Sequence, residues 1–382
     1  MNEKLLKYLI YIAGILCLYA FIAVRVLPMF NFALTENRHP DYFEFTKYGE
    51  LYYFSGISHF KEDLPFPKNK YRLSEENAPI EDAKIIAFGD SFFDINRQKT
   101  VAERLHDTLH TEVNAINAWY PLGYLHNLNY KKDGEKIIIF EVVERNIHYR
   151  FEKPHSPTLT LNPVNKPTGI SRYTHALKKA VFPENDEELY SVMLKESYLT
   201  QFFYTEIATL KFDAFGYISS RTPVYDLRHF KSPMLFYDLT VNDNYTSFYF
   251  EHTDEMIKNY VDNIEDLASK LKSQYNLDMI FLPIPNKYTM YYKKINPEDT
   301  YDDFLPRLYR EMDKRNIDYV NIYDDFKKSN KQLYYGTDTH WNKYGVNIAV
   351  KSLLEHLSEN SSKYENVGLP LSNKNEIKFT NQ

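Results

Sequence analysis

Short apolar runs alternate with amphipathic stretches along much of the chain, and the alternation predicts its architecture. Lys84–Phe88 (KIIAF) is a brief apolar run ending at Gly89-Asp90-Ser91. Lys136–Val143 (KIIIFEVV) is almost continuously apolar, as expected of a strand buried on both faces of a parallel sheet. Glu112–Ala118, Met279–Leu282 and Asp318–Ile322 are further strand-like runs. Helical periods lie between them. Thr100 and Glu103 form a capping box that opens a helix through about His110. Ile257, Val261, Ile264, Ala268 and Leu271 mark one face of a helix over Asp254–Tyr275. Two more helices are predicted over Tyr301–Arg315 and Asn342–Leu357, the second apolar at Val346, Ala349, Val350, Leu353 and Leu354. Strands alternating with helices predict an α/β fold, a mostly parallel sheet covered on both faces.

Two regions break this pattern. Tyr8 to Val24 is uncharged throughout, and Val26 and Leu27 extend the apolar stretch past Arg25. That length approaches the roughly 20 residues that cross a bilayer, and no small-residue cleavage site follows Val24. An uncleaved N-terminal membrane anchor over 1–30 is expected, with Lys4 and Lys7 favouring a cytoplasmic N-terminus and an extracytoplasmic remainder. Residues 31–80 read as a polar, aromatic juxtamembrane segment. The second break is 151–250, where Pro154, Pro157, Pro163 and Pro167 punctuate a loop-rich insertion. A helix over Glu187–Leu210 is expected within it, as core or as a surface for a partner or membrane. The expected organisation is therefore anchor, juxtamembrane segment, a catalytic domain over 81–360 interrupted at 151–250, and a tail over 361–382.

Composition narrows the function. Of 382 residues 43% are hydrophobic, enough for a real core, and the formal charge of −6 argues against nucleic-acid binding. The single cysteine excludes a disulfide framework or a Cys-rich zinc site. Thirty-four tyrosines are an excess that suits sugar contact or plain core filling.

Two clusters can carry chemistry. Ser91 follows the first strand, where Gly89 eases a tight turn and the sheet edge exposes active groups. Gly336-Thr337-Asp338-Thr339-His340-Trp341 stands just before the last helix. Asp338 can orient one nitrogen of His340 and leave the other to deprotonate Ser91, which is a poor nucleophile unaided. Alone, Gly-Asp-Ser is a common turn and Asp-x-His a common accident. Lys287 can contact substrate or lie in a solvated loop, and Trp341 can wall a pocket or fill the core. His106 and His110, one helical turn apart, read as a surface pair more readily than as a metal site, since no third ligand is evident. No metal or cofactor is expected.

IIAFGDSFFD (85–94), VVERN (142–146), PIPNKYTMYY (283–292) and GTDTHWNKYG (336–345) together resemble the SGNH/GDSL hydrolase superfamily. More narrowly, they are similar to the membrane-anchored branch that contains the alginate O-acetylation proteins. The resemblance implies an SGNH-like three-layer α/β/α fold, with Ser91 as nucleophile, His340 as general base and Asp338 as its orienting carboxylate. It implies oxyanion donors from the Ser91 N–H and the next two strand ends, where Arg145 and Asn146 are the candidates. A surface ion pair and a helix cap are their bland readings. Trp119 stands near a position commonly glycine in the superfamily, and Asp90, Trp119, Tyr120, Lys287 and Trp341 are the candidate pocket residues. The Asp-x-His element follows the serine, as in ordinary SGNH enzymes, whereas the alginate proteins place it ahead. The function implied is acyl transfer, most simply of acetyl, to a hydroxyl of an envelope or secreted polysaccharide, supplied by a membrane-bound O-acyltransferase partner. An esterase with the same triad and a non-catalytic glycan-binding protein are the alternatives.

Overall fold

In Lys136–Val143 every side chain is buried, so neither face of this strand meets water and the strand must lie inside a covered sheet. A computed structural model describes residues 3–26, 48–62, 64, 78–93, 99–132, 134–158, short pieces between 170 and 178, 198–219, 221–225, 233–242 and 244–370. These group into two compact units, Met1–Asp63 with Pro163–Thr222 and Leu64–Asn162 with Pro223–Gln382.

The second unit is the α/β domain. Strands β1 (Ile85–Gly89), β2 (Val113–Asn117), β3 (Lys136–Val143) and β6 (Leu277–Ile284) form one sheet in the order β2-β1-β3-β6, all parallel. Because side chains alternate along a strand, the apolar runs serve two cores at once. Ile85, Ala87, Ile137, Ile139, Ile280 and Leu282 face one helical layer, which includes α3 (Val101–Leu109) and α11 (Lys343–Glu359). Ile86, Phe88, Ile138, Phe140, Met279 and Phe281 face the other, which includes α4 (Pro121–Asn127), α7 (Asp254–Lys270) and α9 (Phe304–Asp313). The domain is therefore a three-layer α/β/α fold, as the resemblance implies.

Several elements differ from expectation. Asp318–Ile322 contributes only a bridge, Tyr319 beside Phe281, not a full strand. Asn321 accepts the Asp324 N–H at 3.1 Å and so caps α10 (Ile322–Lys328), which takes over the run. Two helices begin directly beyond strand ends: α5 (Glu144–Phe151) after β3, and α8 (Lys287–Ile295) after β6. Within the expected insertion, a two-stranded ribbon of β4 (Val224–Tyr225) and β5 (Met234–Leu235) groups with the α/β domain. Tyrosine proves mainly a core residue there. Tyr260, Tyr288, Tyr291, Tyr334 and Tyr364 are buried, and their hydroxyls find partners such as the Pro285 carbonyl for Tyr334 at 2.5 Å.

In the first unit, α1 (Glu3–Phe21) contains one helix window, Lys4–Phe21, with mean hydropathy 1.6 and none of it buried, long and apolar enough to cross a membrane. Elsewhere in this unit α6 (Tyr198–Phe215) packs on Ser58–Phe60 through Phe212 against Phe60 and through Thr209, whose Oγ1 accepts the Ser58 N–H at 3.0 Å. The expected helix start at Glu187 lies outside the described residues. The opposite side of α6 leaves Phe203, Ile207 and Leu210 exposed.

Candidate active site

Gly89 ends β1 at a point where any side chain would collide. A Cβ there would lie 2.4 Å from Glu141 Oε2 and 2.8 Å from Glu141 Cβ. Glu141 reaches over the strand end from β3, and its Oε2 accepts the Asp90 N–H at 2.8 Å. The chain then turns, with the Phe93 N–H donating to the Asp90 carbonyl at 3.1 Å, and exposes Ser91 at the carboxyl edge of the sheet.

His340 meets it from the other side of the domain. Its Nε2 lies 2.8 Å from Ser91 Oγ, and its Nδ1 lies 2.5 Å from Asp338 Oδ1. The same Asp338 oxygen accepts the His340 backbone N–H at 3.0 Å, so the two-residue spacing closes into a small ring. With the proton on Nδ1, Nε2 is left to take the serine proton. Phe92 stacks obliquely on the imidazole, with ring centroids 4.8 Å apart.

The loop that presents His340 is held from behind. Lys287 is buried at 5% exposure, and its Nζ donates to the carbonyls of Leu235, Gly336 and Asp338 at 2.7, 3.0 and 3.1 Å. Trp341 is fully buried, and its indole N–H donates to the Phe92 carbonyl at 3.1 Å, tying the histidine loop to the serine turn. Asn342 caps α11 by accepting the Tyr344 N–H at 2.8 Å. Gly345 fits below because a Cβ would meet the Leu333 carbonyl oxygen at 2.6 Å. Lys287 and Trp341 are thus framework behind the site, not pocket lining. A buried ammonium is tolerated because three carbonyls replace its water.

Asp90 is likewise buried and turned inward. Its Oδ1 accepts the Phe92 N–H at 3.1 Å, and its Oδ2 accepts from Asn146 Nδ2 at 3.3 Å and Arg150 Nη2 at 3.2 Å. Arg150 is 1% exposed and lies over the Trp119 ring, 4.9 Å from its centroid. Arg145 and Asn146 are both partly exposed in the first turn of α5. The Arg145 N–H donates to Asn286 Oδ1 at 3.3 Å, and its guanidinium sits 5.9 Å from the centre of the Phe92 ring. Tyr120 precedes α4, edge-on to His155 at 5.3 Å. His106 and His110 stand apart from all this. His106 Nδ1 is 2.8 Å from the Thr111 carbonyl oxygen, and His110 ends α3 in the left-handed region.

Two carboxyls beside the site have altered acidity. Burial pushes Glu141 well above the ordinary carboxylate range, helped by the Asp90 charge and opposed by Arg150. Burial raises Glu144 to about 7, although its oxygens accept the Asn286 N–H at 2.7 Å and the Tyr301 hydroxyl at 2.6 Å. Sequence reasoning passed over Glu141, Glu144 and Arg150. Charged residues inside and flanking the VVERN run were the available signal.

A parallel sheet that presents a serine beyond its first strand and an Asp-x-His before its last helix defines an SGNH-like domain. Residues 245–369, which carry β6 and the Asp-x-His but not Ser91, match the family model described as SGNH hydrolase-like domain, acetyltransferase AlgX, which supports an SGNH/AlgX-like family and an O-acetyltransferase-like function. No curated protein and no solved structure matches the chain significantly.

Proposed function

We propose that this chain is a membrane-anchored, extracytoplasmic O-acyltransferase that works through an acyl-enzyme on Ser91. The observation that carries the reading is the chain of contacts Ser91 Oγ–His340 Nε2 at 2.8 Å and His340 Nδ1–Asp338 Oδ1 at 2.5 Å. His340 takes the Ser91 proton as Oγ attacks the acyl carbonyl. The tetrahedral intermediate collapses, and the donor's oxygen leaves with that proton. An acceptor hydroxyl then gives its proton to His340 and attacks the acyl carbon. Ser91 leaves and recovers the proton, so atoms and charge balance over the cycle.

The Ser91 N–H and the groups at 145–146 are the donors available for the oxyanion, each worth on the order of 3 kcal/mol in such sites. The acyl group is acetyl and the acceptor a polysaccharide of the envelope or a secreted one. Both follow from the family likeness, as does a membrane-bound O-acyltransferase that delivers acyl groups across the bilayer. The helix over Lys4–Phe21 supports anchoring beside such a partner.

Ser91 is exposed, so water can compete as acceptor, and an esterase is the second reading. Supplying an activated acetyl ester with and without oligosaccharide separates the two. The transferase reading expects acetylated sugar that disappears in Ser91→Ala. Acetate released at an unchanged rate, with sugar never acetylated, leaves the esterase.

A further inference from the structure

Arg150 is a deeply buried cation beside the nucleophile, 1% exposed, and the triad chemistry makes no use of it. Burying an arginine–carboxylate pair costs several kcal/mol of desolvation, and apolar replacements of such pairs are often neutral or stabilising. Stability alone therefore explains Arg150 poorly. What it touches explains it better. Nη2 donates to Asp90, the residue before Ser91 at the end of β1. The guanidinium lies on Trp119, beyond the end of β2. Four residues earlier on its own helix, just beyond the end of β3, Asn146 donates to the same Asp90 oxygen.

By the family likeness, these are the three strand ends that supply the oxyanion donors. Asp90 also straddles the nucleophile. Its N–H goes to Glu141, and its Oδ1 takes the Phe92 N–H, so the amides on both sides of Ser91 are tied. Among the described residues nothing occupies the N–H of Ser91 itself.

We propose that Arg150 is a positioning residue for the reaction at Ser91. By holding Asp90 it sets the direction of the Ser91 N–H and the Asn146 amide, the two donors that meet the developing oxyanion. The inference rests on the Ser91 acyl-enzyme reading. Burial favours a neutral Glu141 here, which leaves Arg150 to balance the Asp90 charge. A lysine at 150 would keep that charge but lose the flat guanidinium that lies on Trp119 while Nη2 donates to Asp90.

The test is steady-state kinetics of the full chain with an activated acetyl ester. Arg150→Met is expected to lower kcat by about 100-fold, the loss seen when an oxyanion donor is removed, with KM changed by less than about 2-fold. Asn146→Ala should lower kcat too, and the double variant should be no worse than the poorer single one, because both act through one arrangement. Arg150→Lys should regain roughly 10-fold of the loss. Full kcat in a folded Arg150→Met, or single losses that multiply, overturns the proposal. If Arg150→Met does not fold, the same cycle is run with Arg150→Lys, and multiplying losses again overturn it. A wild-type chain that never acylates on Ser91 sinks the enzyme reading instead. Acylation on Ser91 with kcat indifferent to residue 150 sinks only this inference.

Discussion

His340 is useful as a base only while Asp338 keeps the proton on Nδ1, and the 2.5 Å contact between them is the residue-scale basis of the site. Asp338→Asn keeps the shape but loses the charge and favours the wrong tautomer. It is expected to lower kcat by about 10³–10⁴ with little change in thermal midpoint. An unchanged kcat in the folded variant would remove Asp338 from the chemistry. Lys287 acts at the same scale but on stability. Lys287→Met strips three buried carbonyls of their shared donor, so urea unfolding should show a loss of roughly 2–4 kcal/mol, with activity falling as the His340 loop loosens. A lysine that merely lay in solvent would cost under about 0.5 kcal/mol.

Among the elements, α3 offers the cleanest local test. Thr100 Oγ1 accepts the Glu103 N–H at 3.2 Å while the Glu103 carboxylate accepts the Thr100 N–H at 2.5 Å. Thr100→Ala should cost about 1 kcal/mol in urea unfolding and leave kcat intact, because the cap stands at the start of α3, which packs on β2 and α11 and carries no triad residue. That box was readable in the sequence because it is a local pattern. So was β3, whose unbroken apolar run leaves no alternative to a buried strand. Asp318–Ile322 was misleading, since YVNI has strand-like character but Asn321 caps a helix within two residues of the bridge at Tyr319. Helices α5 and α8 went unread because at most two residues separate them from the strands before them and no side-chain hydrogen bond caps their starts. Within the site, Ser91, Asp338 and His340 were visible by type and order. Lys287 was visible as a candidate for the pocket but not as the buried support of the His340 loop, and Glu141 and Arg150 were not visible at all, because the direction of a buried side chain depends on packing between elements distant in sequence.

For the molecule as a whole, buried Glu144 and His155 make stability depend on pH with opposite signs. Glu144 titrates near 7 when folded against an ordinary 4.5, so its contribution is fullest at low pH and is lost as pH rises through that window, by roughly 3 kcal/mol. His155 is held down to about 4 by burial against an ordinary 6.5, so its contribution is full above 6.5 and is lost as pH falls toward 4. Above pH 6.5 the His155 contribution is complete, and the fall with rising pH comes from the two buried acids whose acidity burial weakens, Glu144 and Glu141. Between pH 6.5 and 8 the wild-type unfolding free energy should therefore fall more steeply than that of Glu144→Gln; equal slopes would mean that Glu144 is not the buried acid described. The central claim is the acyl-enzyme, and mass spectrometry of the full chain after brief exposure to an activated acetyl ester tests it most directly. The account predicts one acetyl group on the peptide containing Ser91, absent in Ser91→Ala and accumulating far more slowly in His340→Ala. Turnover of the ester with no acetyl on Ser91, or equal labelling of Ser91→Ala, would contradict it.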